Sequence, residues 1–148
     1  MVEPSTEYFA GFFDGEGCIS SSHKRHAAPK VSVGQVDREI LHAFRGRWGG
    51  IVHEGKEGKK RPVSRWGLSG PSLIPLLKDL LPYLRQKRTQ AILALTMRAM
   101  IRPTNRSGLP EGEVWLRQRL ARAISNLNHG RSWDWERSPG PGETFERP

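Results

Sequence analysis

The stretch EYFAGFFDGEGCIS, residues 7 to 20, constrains the fold more than any other part of the chain. Its first half is an apolar run suited to a buried helix. It then presents Asp14 and Glu16 among Gly11, Gly15 and Gly17. A carboxylate held beside a buried element is costly unless it is paired or binds a cation. The spacing predicts a helix over 4–14, opened by Pro4, Ser5 and Thr6, with Glu7 in its favourable first turn. Gly15 and Gly17 are expected to end it.

The alternation that follows predicts strands over 18–24 and 30–36. In KVSVGQV, Val31 and Val33 share one face, and Lys30, Ser32 and Gly34 share the other. Asp37 is a plausible N-cap for a short helix bearing Ile40, Leu41 and Phe44, broken by WGG at 48–50. Strands are expected near 50–55 and 61–68, joined by a polar turn rich in glycine and lysine. SGPSLIPLLKDLL predicts a helix with Leu73, Leu76, Leu77 and Leu80 inward, and Pro82 interrupts it. A helix over 84–101 and a last one over 111–128 follow. The last is expected to turn Leu116, Leu120, Ile124 and Leu127 inward, and Arg117, Arg119 and Arg122 mostly outward. Trp133 and Trp135 are expected to anchor that helix. Residues 1–135 thus form a single domain, and the unpatterned stretch 136–148 is expected to be disordered.

The order is α-β-β-α-β-β-α with helices appended: an α+β fold, in which helices cover one face of a four-stranded antiparallel sheet and leave the other free. On that free face the pattern places Ser20, Ser22, Lys24, Lys30, Ser32, His53, Lys59, Arg61 and Arg65. With 24 Lys and Arg against 15 acids, the formal charge of the 148 residues is +9. A basic, pleated surface of this kind suits double-stranded DNA. A β-ribbon fits the major groove, Lys and Arg neutralise phosphates, and Arg forks onto guanine. The apolar runs are too short to span a bilayer, and the N-terminus lacks a basic region before an apolar core. The expectation is an unexported, intracellular protein with no membrane partner, cytoplasmic or organellar according to where its DNA lies. Cys18, the one cysteine, suits a reducing compartment. Cys18, His23 and His26 do not make a zinc site, since alternation sends Cys18 and His23 to opposite faces. No phosphate-cradling GxxxxGK[ST] loop occurs, and no small-molecule cofactor is expected.

FAGFFDGEG, residues 9 to 17, resembles the LAGLIDADG motif of homing endonucleases and intron maturases, with aromatics for aliphatics and Glu16 for the second Asp. VGQV at 33–36, GGIV at 49–52 and LLPYLRQKRTQAILAL at 80–95 also look like the single-motif members. The resemblance covers roughly residues 5 to 102. It implies the αββαββα homing-endonuclease-like fold. It also implies a homodimer, because the motif occurs once, and a site-specific, Mg²⁺-dependent (or Mn²⁺-dependent) endonuclease of intron-homing type. Such an enzyme cuts both strands of a long pseudo-palindromic target and leaves short 3′ overhangs. Glu16, with Gly15 beside it, would hold the metal. Gln35 matches a polar position that orients water or metal, and Lys87 matches a basic residue near the scissile phosphate. A second basic residue that follows the Gln in relatives has no match in register here, and Arg38 is the nearest candidate. Gly11 and Gly15, four apart on one helix face, would let two such helices approach closely, with Ala10 and Asp14 in the same seam. The rival reading is a maturase or DNA- or RNA-binding protein on the same fold that does not cut.

Overall fold

A computed structural model describes residues 2–56, 58, 61–102 and 108–131. Lys59, Trp133, Trp135 and the stretch 136–148 lie outside the described residues.

Helix α1 spans Thr6–Glu16. Ser5 caps it, its Oγ accepting from the Tyr8 N–H at 3.1 Å. The helical repeat buries Phe9, Ala10 and Phe13. The helix continues past its expected end at residue 14, through Gly15 and Glu16. The Gly17 N–H still bonds back to the Phe13 carbonyl, and Gly17 is itself extended. Strand β1, Gly17–Ser21, therefore begins at the residue after the helix ends.

Strand β2 spans Pro29–Gln35 and pairs antiparallel with β1, Ser21 facing Pro29. Proline has no N–H to donate, so the ladder closes there and β1 stops short of the expected residue 24. Ser22 and Lys24 consequently lie on the 22–28 loop and not on the pleated surface. Helix α2, Arg38–Trp48, is capped by Asp37, whose Oδ1 accepts from the Glu39 N–H. Strands β3 (Ile51–His53) and β4 (Ser64–Ser69) follow. β4 begins later than the expected residue 61, because Arg61 has a positive φ of 58° and Pro62 cannot join a ladder. Arg61 is thus a loop residue as well.

The strand order is β1-β2-β4-β3, so the two hairpins meet through β2 and β4. Each hairpin follows a helix, and the sheet is built from two αββ units side by side. The inner rows are apolar: Ile19, Val31 and Leu68 align, as do Val33, Trp66 and Val52. Helices α1 and α2 lay an aromatic cluster on those rows. Phe9 meets Phe44 edge-on at 4.8 Å between centroids, and Phe44 stacks on Trp66 at 4.9 Å. Such pairs add roughly 0.5–1.5 kcal/mol each beyond their buried area. The buried indole of Trp66 donates to the Gly49 carbonyl, so its N–H is not stranded.

Helix α3, Leu73–Leu80, buries Leu73, Leu76, Leu77 and Leu80 as the pattern predicts. Helix α4 spans Arg88–Met100 and starts four positions later than expected. Residues 81–83 form a 3₁₀ turn around Pro82, and the N–H groups of 85–87 bond to Asp14 instead of extending a helix backwards.

Helix α5, Glu111–Asn128, has the predicted bounds and a different rotation. Val114, Arg117, Leu120, Ala121 and Ile124 face inward, and Leu116 is 36% exposed. Arg117 and Arg119, expected outside, are buried at 3% and 7% exposure. Arg117 donates to the Met100 carbonyl at 3.3 Å and pairs with Glu113, which also binds Arg102. Arg119 lies over the Trp115 ring. Partnered guanidinium groups are tolerated inside where lone ones are not. Asn128 donates to the Ile19 carbonyl at 2.6 Å, tying α5 to the edge strand β1. Gly130, with φ of 70°, closes the helix. No helix among the described residues is long and apolar enough to cross a membrane.

Candidate functional site

The two acids at the end of α1 have different surroundings. Asp14 accepts three backbone N–H bonds, from Arg85 and Gln86 at 3.1 Å and from Lys87 at 2.9 Å. Burial acts to raise its carboxyl. The N–H bonds from Gln86, Lys87 and Arg85, with the Lys87 charge, outweigh this and hold it below the usual carboxylate range. Asp14 thus clamps a turn of its own chain, where the sequence suggested a contact across a helix seam.

That clamp carries Lys87 to the end of α1. The Lys87 ammonium donates to the Asp14 carbonyl at 2.5 Å, at the negative end of the helix dipole. Glu16 lies two residues further on, exposed, with no hydrogen-bond or ion-pair partner among the described residues. No basic side chain occupies the last turn of α1. The end of this helix therefore presents one committed carboxylate, one lysine and one uncommitted carboxylate.

Gln35 ends β2. Gly17 faces Val33 in the ladder, so Gln35 lies at the α1–β1 end of that strand pair. It shares the inward alternation of Val31 and Val33 and is half-buried, its Oε1 accepting from the Val36 N–H at 3.0 Å. Gly15 is exposed beside Glu16. Among the described residues no cluster of three or more His, Cys, Asp or Glu side chains is placed to hold a metal ion. Arg38 pairs with Glu54 at 3.3 Å on the surface.

The open face of the sheet carries three aligned rows. Ser20, Lys30 and Ser69 make one, Cys18, Ser32, Gly67 and Ile51 the next, and Gly34, Arg65 and His53 the third. All of these but Cys18 and Gly34 line a concavity of about 730 Å³. Of the expected surface, Ser20, Lys30, Ser32, His53 and Arg65 stand on these rows. The Arg65 guanidinium lies across Gly34, within 3.4 Å of where a Cβ would sit. Cys18, Ile51 and Ser69 also belong to the rows and were not singled out from the sequence, although strict alternation from Ser20, His53 and Arg65 identifies them.

The outer side of α1 carries the exposed Tyr8, Gly11 and Gly15, with the half-buried Phe12 between them, spaced at one helical face. A Cβ added at Gly11 or Gly15 would meet nothing within 4 Å. Ala10, expected in this seam, has no exposed surface and packs inward with Phe9 and Phe13. Tyr8, 56% exposed, stands on that outer side instead. The apolar run alone did not show which side of α1 faces the sheet.

No family model and no curated protein matches the chain. Solved structures do. The homing endonuclease I-CvuI, in complex with its target in the presence of calcium, superposes with a TM-score of 0.65 at 26% identity, over 82% of this chain and 80% of that one. A second I-CvuI complex, with the I-CreI target and magnesium and with its DNA not cleaved, gives 0.66 at 25% identity, over 87% and 85%. The chain thus shares the fold, and about a quarter of its residues, with these homing endonucleases. The archaeal intron-encoded homing endonuclease I-Vdi141I, complexed with DNA, shares the fold at a TM-score of 0.68 and 22% identity, over 87% of this chain and 88% of that one. In this chain the LAGLIDADG-like motif FAGFFDGEG is the stretch of α1 that leads into β1, and its second acid is Glu16, unpartnered among the described residues.

Proposed function

We propose that the chain is a site-specific DNA endonuclease that works as a symmetric pair, each copy placing one Glu16 at a scissile phosphate. The observation that carries this reading is the contrast at the end of α1: Asp14 is spent on its own backbone, and Glu16, two residues past the carbonyl that Lys87 binds, is exposed with no partner among the described residues.

A lone carboxylate at the negative end of a helix attracts cations. Its hard oxygens fit Mg²⁺ or Mn²⁺, and one side chain supplies too few of them for octahedral coordination. Glu16, with the backbone at Gly15, would hold the ion, and a second copy of the chain, DNA phosphates and water would complete its ligands. The bound ion supplies Lewis acidity and a more acidic water. Lys87 places a fixed positive charge where negative charge develops on the phosphate. Gln35, at the same end of β2, offers an amide that orients water. Tyr8, Gly11, Phe12 and Gly15 form the seam where two α1 helices meet, its glycines allowing close approach.

Two sheets related by that seam read mirrored half-sites of a long pseudo-palindromic target. Arg65 forks onto a guanine, and Lys30 and the loop residues Lys24 and Arg61 neutralise phosphates. By likeness to the family, the products carry short 3′ overhangs, and the setting is intron homing.

A cleavage-selection screen on a randomised DNA library, run with Mg²⁺, with Mn²⁺ and with chelator, tests the proposal. Selective double-strand cutting that requires the metal is expected. Binding without cutting under every metal condition would leave only the recognition half of the proposal standing.

A further inference from the structure

The open face of the sheet is polar or basic at nearly every position. Its rows hold Ser20, Lys30 and Ser69, then Cys18, Ser32 and Gly67, then Gly34, Arg65 and His53. Ile51 breaks the pattern. It is the one large aliphatic side chain in these rows, and it is 62% exposed. It stands in register with Gly67, which has no side chain to shield it. Gly50, beside it, cannot carry one either: its φ is +98° and an added Cβ would lie 2.4 Å from the Gly67 carbonyl oxygen. The isoleucine therefore rises alone above a floor of backbone. Its neighbour on β3, Val52, turns to the covered face, so the exposure of Ile51 follows from the strand's alternation and not from a frayed end.

An aliphatic side chain does nothing for phosphate neutralisation and offers no hydrogen bond to a base edge. On the major-groove surface of DNA, one base presents an apolar group, thymine with its C5-methyl. We propose that Ile51 is a specificity-determining residue that selects a thymine through that methyl group. This rests on the reading of the sheet as the DNA-recognition surface.

The strand geometry also says where the thymine lies. Ile51 and His53 are successive outward residues of β3, about 6.6 Å apart along the strand. That is about two base-pair steps of 3.4 Å. The selected thymine thus falls about two base pairs from the pair facing the Arg65–His53 row, once in each half-site.

The test removes one methyl group at a time. The target selected by the wild-type protein is resynthesised with deoxyuridine replacing each thymine in turn, and binding is measured for wild type, Ile51→Ser and Ile51→Val. Expected is one position per half-site at which deoxyuridine weakens wild-type binding about four-fold, the factor for burying one methyl group. Ile51→Ser should bind both DNAs equally at that position, while Ile51→Val keeps part of the discrimination and penalties at other positions stay as in wild type. The proposal is overturned if wild type is indifferent to deoxyuridine throughout. It is also overturned if Ile51→Ser retains the wild-type penalty or weakens binding equally on every sequence. The wild-type series stands whether or not the serine variant folds. If the wild-type protein selects no sequence at all, the recognition surface itself is wrong; selective binding with no Ile51-linked thymine removes this inference alone.

Discussion

The two αββ units share a plan and differ at the ends of their helices. Helix α2 ends as electrostatics favours, with Arg45 and Arg47 in its last turn and Gly49 closing it at a φ of 85°. Helix α1 ends with Asp14 and Glu16, with no basic residue in the last turn, and runs straight into a strand. Acids at that end oppose the helix dipole. Asp14 is compensated by three N–H groups and the Lys87 charge, and Glu16 by nothing among the described residues. One architectural unit can therefore serve as a scaffold or as a reactive end, and the difference is visible where a capping rule is broken.

The sharpest way to break this comparison is Glu16→Gln. If the unpaired acid is the reactive one, cutting should fall by at least on the order of 10²–10³-fold, with DNA binding kept and thermal stability held or slightly raised. Cutting near the wild-type rate would make the two helix ends equivalent and remove the functional contrast.

The glycines in and just after α1 separate the proposed seam from the core. Gly11→Leu should leave the fold of each chain intact, because a Cβ there meets nothing within 4 Å, and should weaken self-association in sedimentation. An unchanged dimer would move the seam elsewhere. Gly17→Ala should instead destabilise the chain by about 1–3 kcal/mol in denaturant melts, since its Cβ would lie 2.5 Å from the Phe13 ring.

Asp14→Asn weakens the clamp on residues 85–87 and should cost about 2 kcal/mol, as for hydrogen bonds to a charged group. The pH dependence has a definite sign. The folded carboxyl titrates below its usual value of 3.8, so its contribution is present above that pH and is lost as pH falls through the lower folded value. The Asn variant should lose this part of the acid sensitivity, measured as the change in melting temperature between pH 5 and pH 3. The smallest effect belongs to the conventional end: Arg45→Ala should change stability by no more than about 0.5 kcal/mol and leave cutting unchanged.

Much of this was legible from local pattern. Ser5 and Asp37 announced α1 and α2, the Val31–Val33 alternation announced β2, and α5 has the bounds its periodicity predicted. What escaped depends on contacts between distant segments. The start of α4 was hidden because Asp14, far back in the chain, takes the amides of 85–87. The rotation of α5 was hidden because Arg117 goes inside only where Glu113 and the Met100 carbonyl meet it. Ala10 and Gly11 adjoin in sequence, and the packing of α1 decided which faces the core. At the site, Glu16 and Lys87 were readable as residue types, and the bond that ties Lys87 to the Asp14 carbonyl was not.

The junction between α1 and β1 has no spare residue: Glu16 ends one element and Gly17 begins the other. A hinge needs positions whose dihedrals can absorb movement. Lacking them, the acid and the ribbon travel as one lever. Under the proposed function, a ribbon that sits askew on the wrong groove would swing its carboxylate off the phosphate by the same motion. Fidelity in docking would thereby become fidelity in scission.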